Sequence, residues 1–439
     1  MTLKDHRVAK LRRAASRTAS ESRPTDAKAR RTKAKIVPLL RWAGVWGPGL
    51  LVMLADTDAG NVVTAAQSGA RWGYRQLPLL LLLIPMLYMV QELTVRLGIY
   101  TGRGYGELIR ERFGAAWAWL SIVGLAVATI GSLVTEFTAA AGIGDHYGVS
   151  RSLTLPFAVA ALLTVVATGS YRRVERTALV VGLFELGFFA VAWVAQPKLG
   201  TLLSDVTSLP LGDREFAFIT AAIIGATFNP WMIFYQQSAI VEKRLKADDI
   251  KAARWDTAVG AVLTQCLTGA VLVAAAAALT SEGGPVNLTS VGQIGDAFTP
   301  VLGERVGHLV FGVGVLGASL IAAIVASLAL AWGAGEITGH RRSLEYRPLD
   351  AGWFYGVYVA CAVGAAGIVW YVPDLVWLNI AAQVLNAFLL PLVIGLLVAL
   401  AVKALPEPLR LRGWYLRLII GICAIVCALG LFGGLSGFL

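Results

Sequence analysis

The feature of this sequence that most limits its possible folds is a series of apolar runs, each roughly 20 residues long. A helix of that length crosses about 30 Å of hydrocarbon. Hydrophobic residues make up 57% of the 439 residues and charged residues only 15%, whereas soluble domains carry about 25% charged residues. These features predict an all-α membrane protein. We expect no cleaved secretory signal, because no short apolar run with a cleavage site stands at the start.

Eleven candidate spans can be counted, with approximate limits at 43–70, 76–100, 116–145, 152–169, 175–196, 215–241, 254–280, 306–336, 351–372, 375–401 and 416–438. One set of connections is rich in cations: Arg103, Arg110 and Arg112; Arg172, Arg173 and Arg176; Lys243, Arg244, Lys246 and Lys251; Arg341, Arg342 and Arg347; and Lys403, Arg410 and Arg412. The alternate connections hold only scattered cations. The positive-inside rule therefore predicts a cytoplasmic N-terminus and, with an odd number of spans, an external C-terminus. We expect the plasma membrane of a bacterial cell.

The segment 1–41 differs from the rest of the chain in composition. It contains thirteen Lys/Arg and three Asp/Glu, among many Ala, Ser and Thr residues. Such a segment cannot bury a core, and we predict a disordered basic cytoplasmic tail that contacts anionic lipid rather than nucleic acid. Residues 42–439 are predicted to form a single membrane domain. The four cysteines lie within the apolar runs and are interpreted as packing residues.

Two of the spans are interrupted by polar and helix-breaking residues. The first contains the stretch Asp56–Asn61, and the sixth contains Gly225–Pro230. Gly, Asn and Pro in mid-span favour unwinding, which frees backbone carbonyls. The breaks lie five spans apart, which indicates two five-helix repeats of opposite topology at about 43–196 and 215–401 and an extra helix at about 416–438. Corresponding broken helices in two halves of a chain indicate a transport site.

Asp58 is the strongest candidate for binding a transported ion, because ionisable residues at the membrane centre are costly and usually functional. The candidate donors are all oxygens: the side chains of Asp58, Asn61, Asn229 and Gln383, and the carbonyls of Ala55 and Ala226. Hard oxygen ligands suit Mg²⁺, Ca²⁺ or Mn²⁺, and one carboxylate among amides fits a partly hydrated Mg²⁺. Two alternatives remain open: Asp58 and Asn61 could cap the half-helices, and Asn229 could stabilise its break.

At these residues the chain resembles the Nramp family of divalent-metal transporters. The resemblance covers roughly residues 43–438 and rests on Asp58–Asn61, Gln67–Ala70, Gly73–Tyr74, Arg96–Arg103, Gly225–Thr227, and Gln383–Asn386 with Pro391. It implies a LeuT-like inverted-repeat fold with an eleventh helix. It also implies metal ligands at Asp58, Asn61 and the Ala226 carbonyl, with the Ala55 carbonyl and Gln383 as further candidates.

The sixth span departs from the pattern of this family. The family's Met-Pro-His is Asn229–Trp231 here, so a hard amide replaces a soft thioether and a tryptophan replaces the first histidine. Gln236 stands where the second histidine is expected. In the first span, Ala59 replaces the family's proline. The thioether favours Mn²⁺ and Fe²⁺, so its loss, together with that of the histidines, argues against a proton-coupled Mn²⁺/Fe²⁺ symporter.

The third span lacks part of the family's proton path. The family's Asp-x-x-Glu reads Leu133–Glu136, so the aspartate is missing and the glutamate is retained. Glu136 could equally be a structural carboxylate, and Asp56, which is new relative to the family, could line the vestibule or support the site. Together the departures resemble the Nramp-related magnesium transporters, a branch that is not visibly built for proton coupling.

The leading interpretation is a Mg²⁺ importer that also takes Mn²⁺, works by alternating access and is not coupled to protons. The alternatives are a proton-coupled Mn²⁺/Fe²⁺ symporter and a sodium-coupled carrier of a small solute on the same fold. An enzyme or sensor is not supported, because no nucleophile–base pair or phosphate loop is present. We expect no cofactor. The expected partners are the lipid bilayer and a divalent metal ion. The sequence leaves the oligomeric state open, and a monomer is compatible with it.

Overall fold

The apolar runs form α-helices throughout the part of the chain that the computed structural model describes, residues 44–279, 287–288, 292–295, 304–372 and 375–437. The predicted basic tail, residues 1–41, lies outside the described residues. The helices are α1 Pro48–Asp56, α2 Ala59–Trp72, α3 Leu77–Thr101, α4 Tyr105–Phe113, α5 Ala115–His146, α6 Arg151–Ala167, α7 Tyr171–Gly182, α8 Gly187–Val194, α9 Leu199–Thr207, α10 Arg214–Thr227, α11 Pro230–Glu242, α12 Ile250–Leu279, α13 Glu304–Thr338, α14 Gly352–Tyr371, α15 Leu375–Lys403 and α16 Gly413–Ser436.

Among the described residues, nine helices, some of them counted across a short interruption, are long and apolar enough to cross a membrane. Together with the shorter apolar helix α6 and the pair α1–α2, they occupy the positions of the eleven predicted spans. The chain is therefore an all-helical, multi-pass membrane protein. Two short helices, α4 and α9, lie in connections where the sequence analysis predicted no element.

Both predicted breaks are present, and each is two residues long. The first separates α1 from α2 at Thr57 and Asp58, and the second separates α10 from α11 at Phe228 and Asn229. Asp58 and Asn229 thus take the same position, the N-cap of the second half-helix. The local sequence explains this, because short polar side chains favour N-caps and proline favours the first helical turn.

Helix α12 packs against the first broken span, and α15 packs against both broken spans. Small residues let the backbones approach closely, as is usual between helices in membranes. A Cβ atom added to Gly260 of α12 would lie 2.7 Å from Met53 Cγ of α1. One added to Gly225 of α10 would overlap the backbone carbonyl of Gln383 in α15. These contacts hold α12 and α15 beside the breaks, where their polar residues reach the unwound segments.

The beginning of α1 is held by a carboxylate of α12. Asp256 accepts hydrogen bonds from the amides of Gly47, Gly49 and Leu50, with the Gly49 bond at 2.7 Å. These amides belong to the start of the helix, where backbone N–H groups have no partner within the helix. A negative charge there also complements the helix dipole. Asp256 therefore fixes the end of α1 that is remote from the break.

Candidate metal site

Asp58 uses one carboxylate oxygen to cap α2 and leaves the other unpaired. Its Oδ1 accepts the backbone N–H of Asn61 at 2.6 Å. Its Oδ2 is buried and accepts no hydrogen bond of good geometry among the described residues, although the carboxylate of Glu136 lies beside that of Asp58. The side chain as a whole is 0% exposed. The capping role that the sequence left as an alternative is therefore present, and it engages only half of the carboxylate.

Two further contacts hold the first break open. The Asn61 side-chain amide donates to the carbonyl of Asp56 at 2.9 Å. The N–H of Ala59 donates to Glu136 Oε2 of α5 at 3.2 Å, although in an unbroken helix it would donate to the carbonyl of Ala55. Glu136 thus accepts a hydrogen bond from the Ala59 N–H in place of the Ala55 carbonyl. The carbonyl of Ala55 is left without its usual helical donor.

The second break is joined to the first by Asn229. Pro230 has no N–H to offer the carbonyl of Ala226, which is its helical partner four residues earlier. The Asn229 amide nitrogen donates to that carbonyl at 2.9 Å and to Asp56 Oδ1 at 3.2 Å. The Asp56 side chain is fully buried. Asn229 therefore stabilises its own break and links it to the carboxylate of the other.

Helix α15 adds two amides to this cluster, of which the sequence analysis chose only Gln383. Asn386 donates to Asn229 Oδ1 at 2.5 Å and to Gln383 Oε1 at 3.1 Å. The nitrogen of Gln383 faces Gly60, where an added Cβ would overlap it. In this conformation Gln383 presents its nitrogen to the first break, since Asn386 holds its oxygen. Asn386 could have been found from its position three residues after Gln383, on the same helix face.

Helix α12 contacts both breaks through two consecutive residues that the sequence analysis did not select. The hydroxyls of Thr264 and Thr57 are 2.8 Å apart. The Gln265 amide nitrogen lies 3.3 Å from the hydroxyl of Thr227, while Gln265 Oε1 is buried and unpaired among the described residues. The available signal was a threonine–glutamine pair in the middle of a mostly apolar span.

Three further carboxylates lie near the two breaks. The sequence analysis built the site around one carboxylate, Asp58, and left the roles of Asp56 and Glu136 open. Asp56 and Glu136 are hydrogen-bonded to the same two breaks, as described above, and Glu185 interacts electrostatically with both Asp56 and Asp58. Glu136 and Glu185 are far from Asp58 in sequence and approach the breaks only in the fold, whereas Asp56 is two residues from Asp58.

The donor set can hold a hard cation only as a mixture of ligand types. Among the described residues, no three His, Cys, Asp or Glu side chains are grouped so that they alone could hold a metal ion. Four buried side-chain oxygens around the breaks lack a donor in the same part of the chain: Asp56 Oδ2, Asp58 Oδ2, Gln265 Oε1 and Asn386 Oδ1. Buried acceptors without donors are rare and require an explanation, and a bound cation with its waters would supply one.

The sixth-span positions where the resembling family has histidines carry neutral, hydrogen-bonded side chains. The Trp231 indole N–H donates to Ser132 Oγ of α5 at 2.9 Å. Gln236 accepts from Thr94 at 2.9 Å and donates to Thr257 at 2.7 Å. Each side chain therefore connects α11 to neighbouring helices, and neither can exchange a proton near neutral pH.

Comparisons with known proteins agree on one family and one fold. The family model described as "Nramp: Natural resistance-associated macrophage protein-like" matches residues 49–435. A divalent metal cation transporter MntH of Chromohalobacter salexigens is 28% identical over 65% of this chain and 69% of its own length. MntH 1 of Pseudomonas aeruginosa is 32% identical over 64% of this chain and 66% of its own.

Solved structures show the same architecture at low sequence identity. A manganese transporter of Eremococcus coleocola superposes with a TM-score of 0.68 at 18% identity, covering 89% of this chain and 85% of that one. MhsT in complex with L-phenylalanine superposes with a TM-score of 0.58 at 14% identity, covering 88% and 98%. The fold is thus the LeuT-like fold that the sequence motifs implied.

Proposed function

The chain belongs to the Nramp family and is an Nramp-type divalent-metal transporter, and from this premise we propose that it imports Mg²⁺ as a partly hydrated ion, with Mn²⁺ as a second substrate. The observation that carries the proposal is the all-oxygen donor set at the two breaks, in which Asp58 Oδ2 is buried without a hydrogen-bond partner among the described residues. Every donor in this set is hard and none is sulfur, which favours Mg²⁺ and Mn²⁺ over softer ions.

The proposed ligands are the side chains of Asp58, Asn61, Asn229 and Gln383 and the carbonyls of Ala55 and Ala226. Asp58 contributes charge through Oδ2, which is unpaired. Asn229 contributes its amide oxygen, which would exchange the bond from Asn386 for the ion. Gln383 would have to rotate its amide to offer oxygen to the ion. Mg²⁺ usually keeps several of its waters in proteins, so the remaining positions would be occupied by water.

We propose that transport is not coupled to protons. Trp231 and Gln236 cannot titrate near neutral pH, and Leu133 removes a carboxylate from the third span. Glu136, the retained carboxylate, is held by the Ala59 amide and by the Thr135 hydroxyl at 3.1 Å. The membrane potential would then drive uptake, at about 2.3 kcal/mol for each of two charges per 100 mV.

The proposed topology has a cytoplasmic N-terminus and an external C-terminus. It rests on the alternation of cation-rich and cation-poor connections along the chain. In this orientation, Asp256 and the start of α1 lie on the cytoplasmic side of the breaks. Alternating access would then require the contact between Asp256 and α1 to open when the ion is released inward.

A proton-coupled Mn²⁺/Fe²⁺ symporter is the second candidate. The observation that favours it is the presence of further buried carboxylates, Glu136 and Glu185, near Asp58. It differs from the leading proposal in a measurable way, because proton movement would accompany the metal.

The test is metal uptake into liposomes that contain the purified protein. Mg²⁺, Mn²⁺, Ca²⁺ and Cd²⁺ are added outside in separate runs while an internal metal indicator is read. We expect saturable uptake of Mg²⁺ and Mn²⁺ that increases with an inside-negative potential. Uptake of Mn²⁺ and Cd²⁺ without Mg²⁺ would overturn the magnesium assignment while leaving the family unchanged.

A further inference from the structure

The fifth span is interrupted at a buried glutamate. Helix α7 ends at Gly182, a 3₁₀ segment runs over Leu183–Leu186, and α8 begins at Gly187. Glu185 lies inside the 3₁₀ segment and is 0% exposed. Both of its carboxylate oxygens lack a hydrogen-bond donor among the described residues. A short 3₁₀ segment within a longer helix often marks a functional or strained position.

This interruption faces the first broken span. A Cβ atom added to Gly182 would lie 3.0 Å from Leu54 Cδ1 in α1 and 2.9 Å from Ile321 Cδ1 in α13. Glu185 follows three residues later, close to the same face of the span. Its carboxylate interacts electrostatically with those of Asp58 and Asp56. Three buried carboxylates from two spans therefore share one region.

No basic side chain of the described residues is paired with Glu185. Two cations on the side predicted to be cytoplasmic are paired with other carboxylates: Lys243 lies 2.8 Å from Glu175, and Arg342 lies 2.6 Å from Glu107. A charged group inside a membrane is costly unless it is paired. Without a basic partner among the described residues, Glu185 is stabilised either by protonation or by a cation at the nearby breaks.

We propose that Glu185 is a specificity-determining residue for the transported ion: its negative charge adds to that of Asp58 and raises the affinity of the site for divalent over monovalent cations. The inference rests on the proposed function, since it requires a metal at the breaks. Glu185 acts through the electric field of its negative charge. The attraction of that charge for an ion increases in proportion to the charge of the ion. A dication gains twice as much from it as Na⁺ or K⁺.

The discriminating variant is Glu185→Gln, which keeps the shape of the side chain and removes its charge. If Glu185 is always protonated, glutamine imitates it and nothing changes. If it is charged, we expect KM for Mg²⁺ uptake to rise on the order of tenfold with little change in the maximal rate. Glu185→Asp, which retains the charge, should recover most of the affinity. Glu345→Gln is the control, because Glu345 is an exposed carboxylate in the connection after α13.

A second measurement separates affinity from transport. Calorimetric titration of Mn²⁺ into the detergent-purified proteins gives Kd without turnover, and the same titration is repeated against high K⁺. We expect Glu185→Gln to weaken Mn²⁺ binding by about the same factor as KM and to increase competition by K⁺. Should this variant not be recovered folded, Glu185→Asp carries the test, with an expected rise in Kd of roughly threefold because the charge retreats by one carbon–carbon bond.

The outcomes distinguish this inference from the proposed function. Equal KM and Kd values for wild type and Glu185→Gln overturn the inference even if Mg²⁺ uptake is robust. Loss of uptake with an unchanged Mn²⁺ Kd also overturns it, because the residue would then serve folding or movement only. If the wild type transports Mn²⁺ but not Mg²⁺, the magnesium proposal fails, and the Mn²⁺ Kd of the variants still decides the role of Glu185.

Discussion

Asp58 performs two tasks with its two carboxylate oxygens. Oδ1 caps α2 through the Asn61 amide at 2.6 Å, and Oδ2 remains without a partner among the described residues. A cap needs only an acceptor, which asparagine also offers, whereas attraction of a dication needs the charge. Substitutions at this one position can therefore separate the helix break from the ion.

We predict that Asp58→Ala abolishes Mg²⁺ uptake in liposomes and lowers stability by about 0.5–2 kcal/mol through loss of the cap. Asp58→Asn should retain most of that stability, because its side-chain oxygen can still accept the Asn61 amide, and should also fail to transport. Uptake and thermal unfolding are measured on the same preparations. Full uptake by folded Asp58→Ala protein would remove Asp58 from the site.

Asn229→Met is predicted to move selectivity toward softer ions. A thioether can bind Cd²⁺ directly but cannot hydrogen-bond the waters around Mg²⁺. The measured quantity is the ratio of Cd²⁺ to Mg²⁺ uptake, which should rise by about tenfold or more. Asn229→Leu is the control, since it loses the bonds to Asp56 and Ala226 without gaining sulfur. An unchanged ratio in an active Asn229→Met protein means that residue 229 does not contact the ion.

The sequence predicted the residues at the breaks better than it predicted their neighbours. Asp58, Asn61 and Asn229 could be found because they stand beside helix breakers within apolar runs. Gln265 and Asn386 belong to uninterrupted helices, and only the packing of α12 and α15 brings them to the breaks. The bonds between different helices could not be predicted either, because each of them joins residues far apart in the chain.

At the scale of elements, α1 is a nine-residue half-helix fixed at both ends. Its last turn leads into the hydrogen bonds at the first break. At its start, the N–H groups of Gly47, Gly49 and Leu50 donate hydrogen bonds to Asp256. A helix this short has little stability of its own. Its position therefore depends on these end contacts and on its packing against α12.

We predict that Asp256→Ala loosens the first turn of α1 while the rest of the fold persists. Unpaired buried donors cost about 1–3 kcal/mol, so the variant should unfold at lower temperature, and the amides of residues 49–54 should exchange with deuterium faster. Asp256→Asn is the matched control, because it keeps one acceptor oxygen and should give an intermediate rate. Equal exchange in all three proteins would mean that packing alone holds α1.

The breaks and the fifth span show what local sequence can and cannot predict about elements. The first and sixth spans contain Asp, Asn, Gly and Pro in series, and both breaks were predicted from them. The fifth span reads Gly182-Leu-Phe-Glu-Leu-Gly187, and its interruption was missed. Two flanking glycines and a mid-span carboxylate were the available signal, and the rule that selected Asp58 would have selected Glu185 as well.

At the scale of the whole molecule, the eleven predicted spans were recognisable because hydrocarbon thickness sets helix length. What length could not predict is which spans touch. Helices α12 and α15 lie beside the breaks because glycines such as Gly260 and Gly225 permit it, and those contacts join residues far apart in sequence. The arrangement of the helices follows from how their side chains pack, and the hydropathy of a span does not predict that packing.

Transport is predicted to leave the liposome interior at constant pH. A proton-coupled carrier needs titratable groups that lead away from the metal, and positions 231 and 236 hold tryptophan and glutamine, both hydrogen-bonded to neighbouring helices. The measurement uses a pH-sensitive dye trapped inside while Mg²⁺ or Mn²⁺ is added outside. Uptake should increase with imposed negative potential. Metal-dependent acidification that vanishes in Asp58→Ala would indicate that a relay survives, and Glu136→Gln would then identify its next member.

The consecutive contacts of α12 have a consequence for how the two breaks move. Thr264 is bonded to Thr57 at the first break and Gln265 lies beside Thr227 at the second. We therefore expect a displacement of one break to be transmitted to the other through α12. Because both breaks contribute to the candidate site, the ligands from the two spans would then shift together.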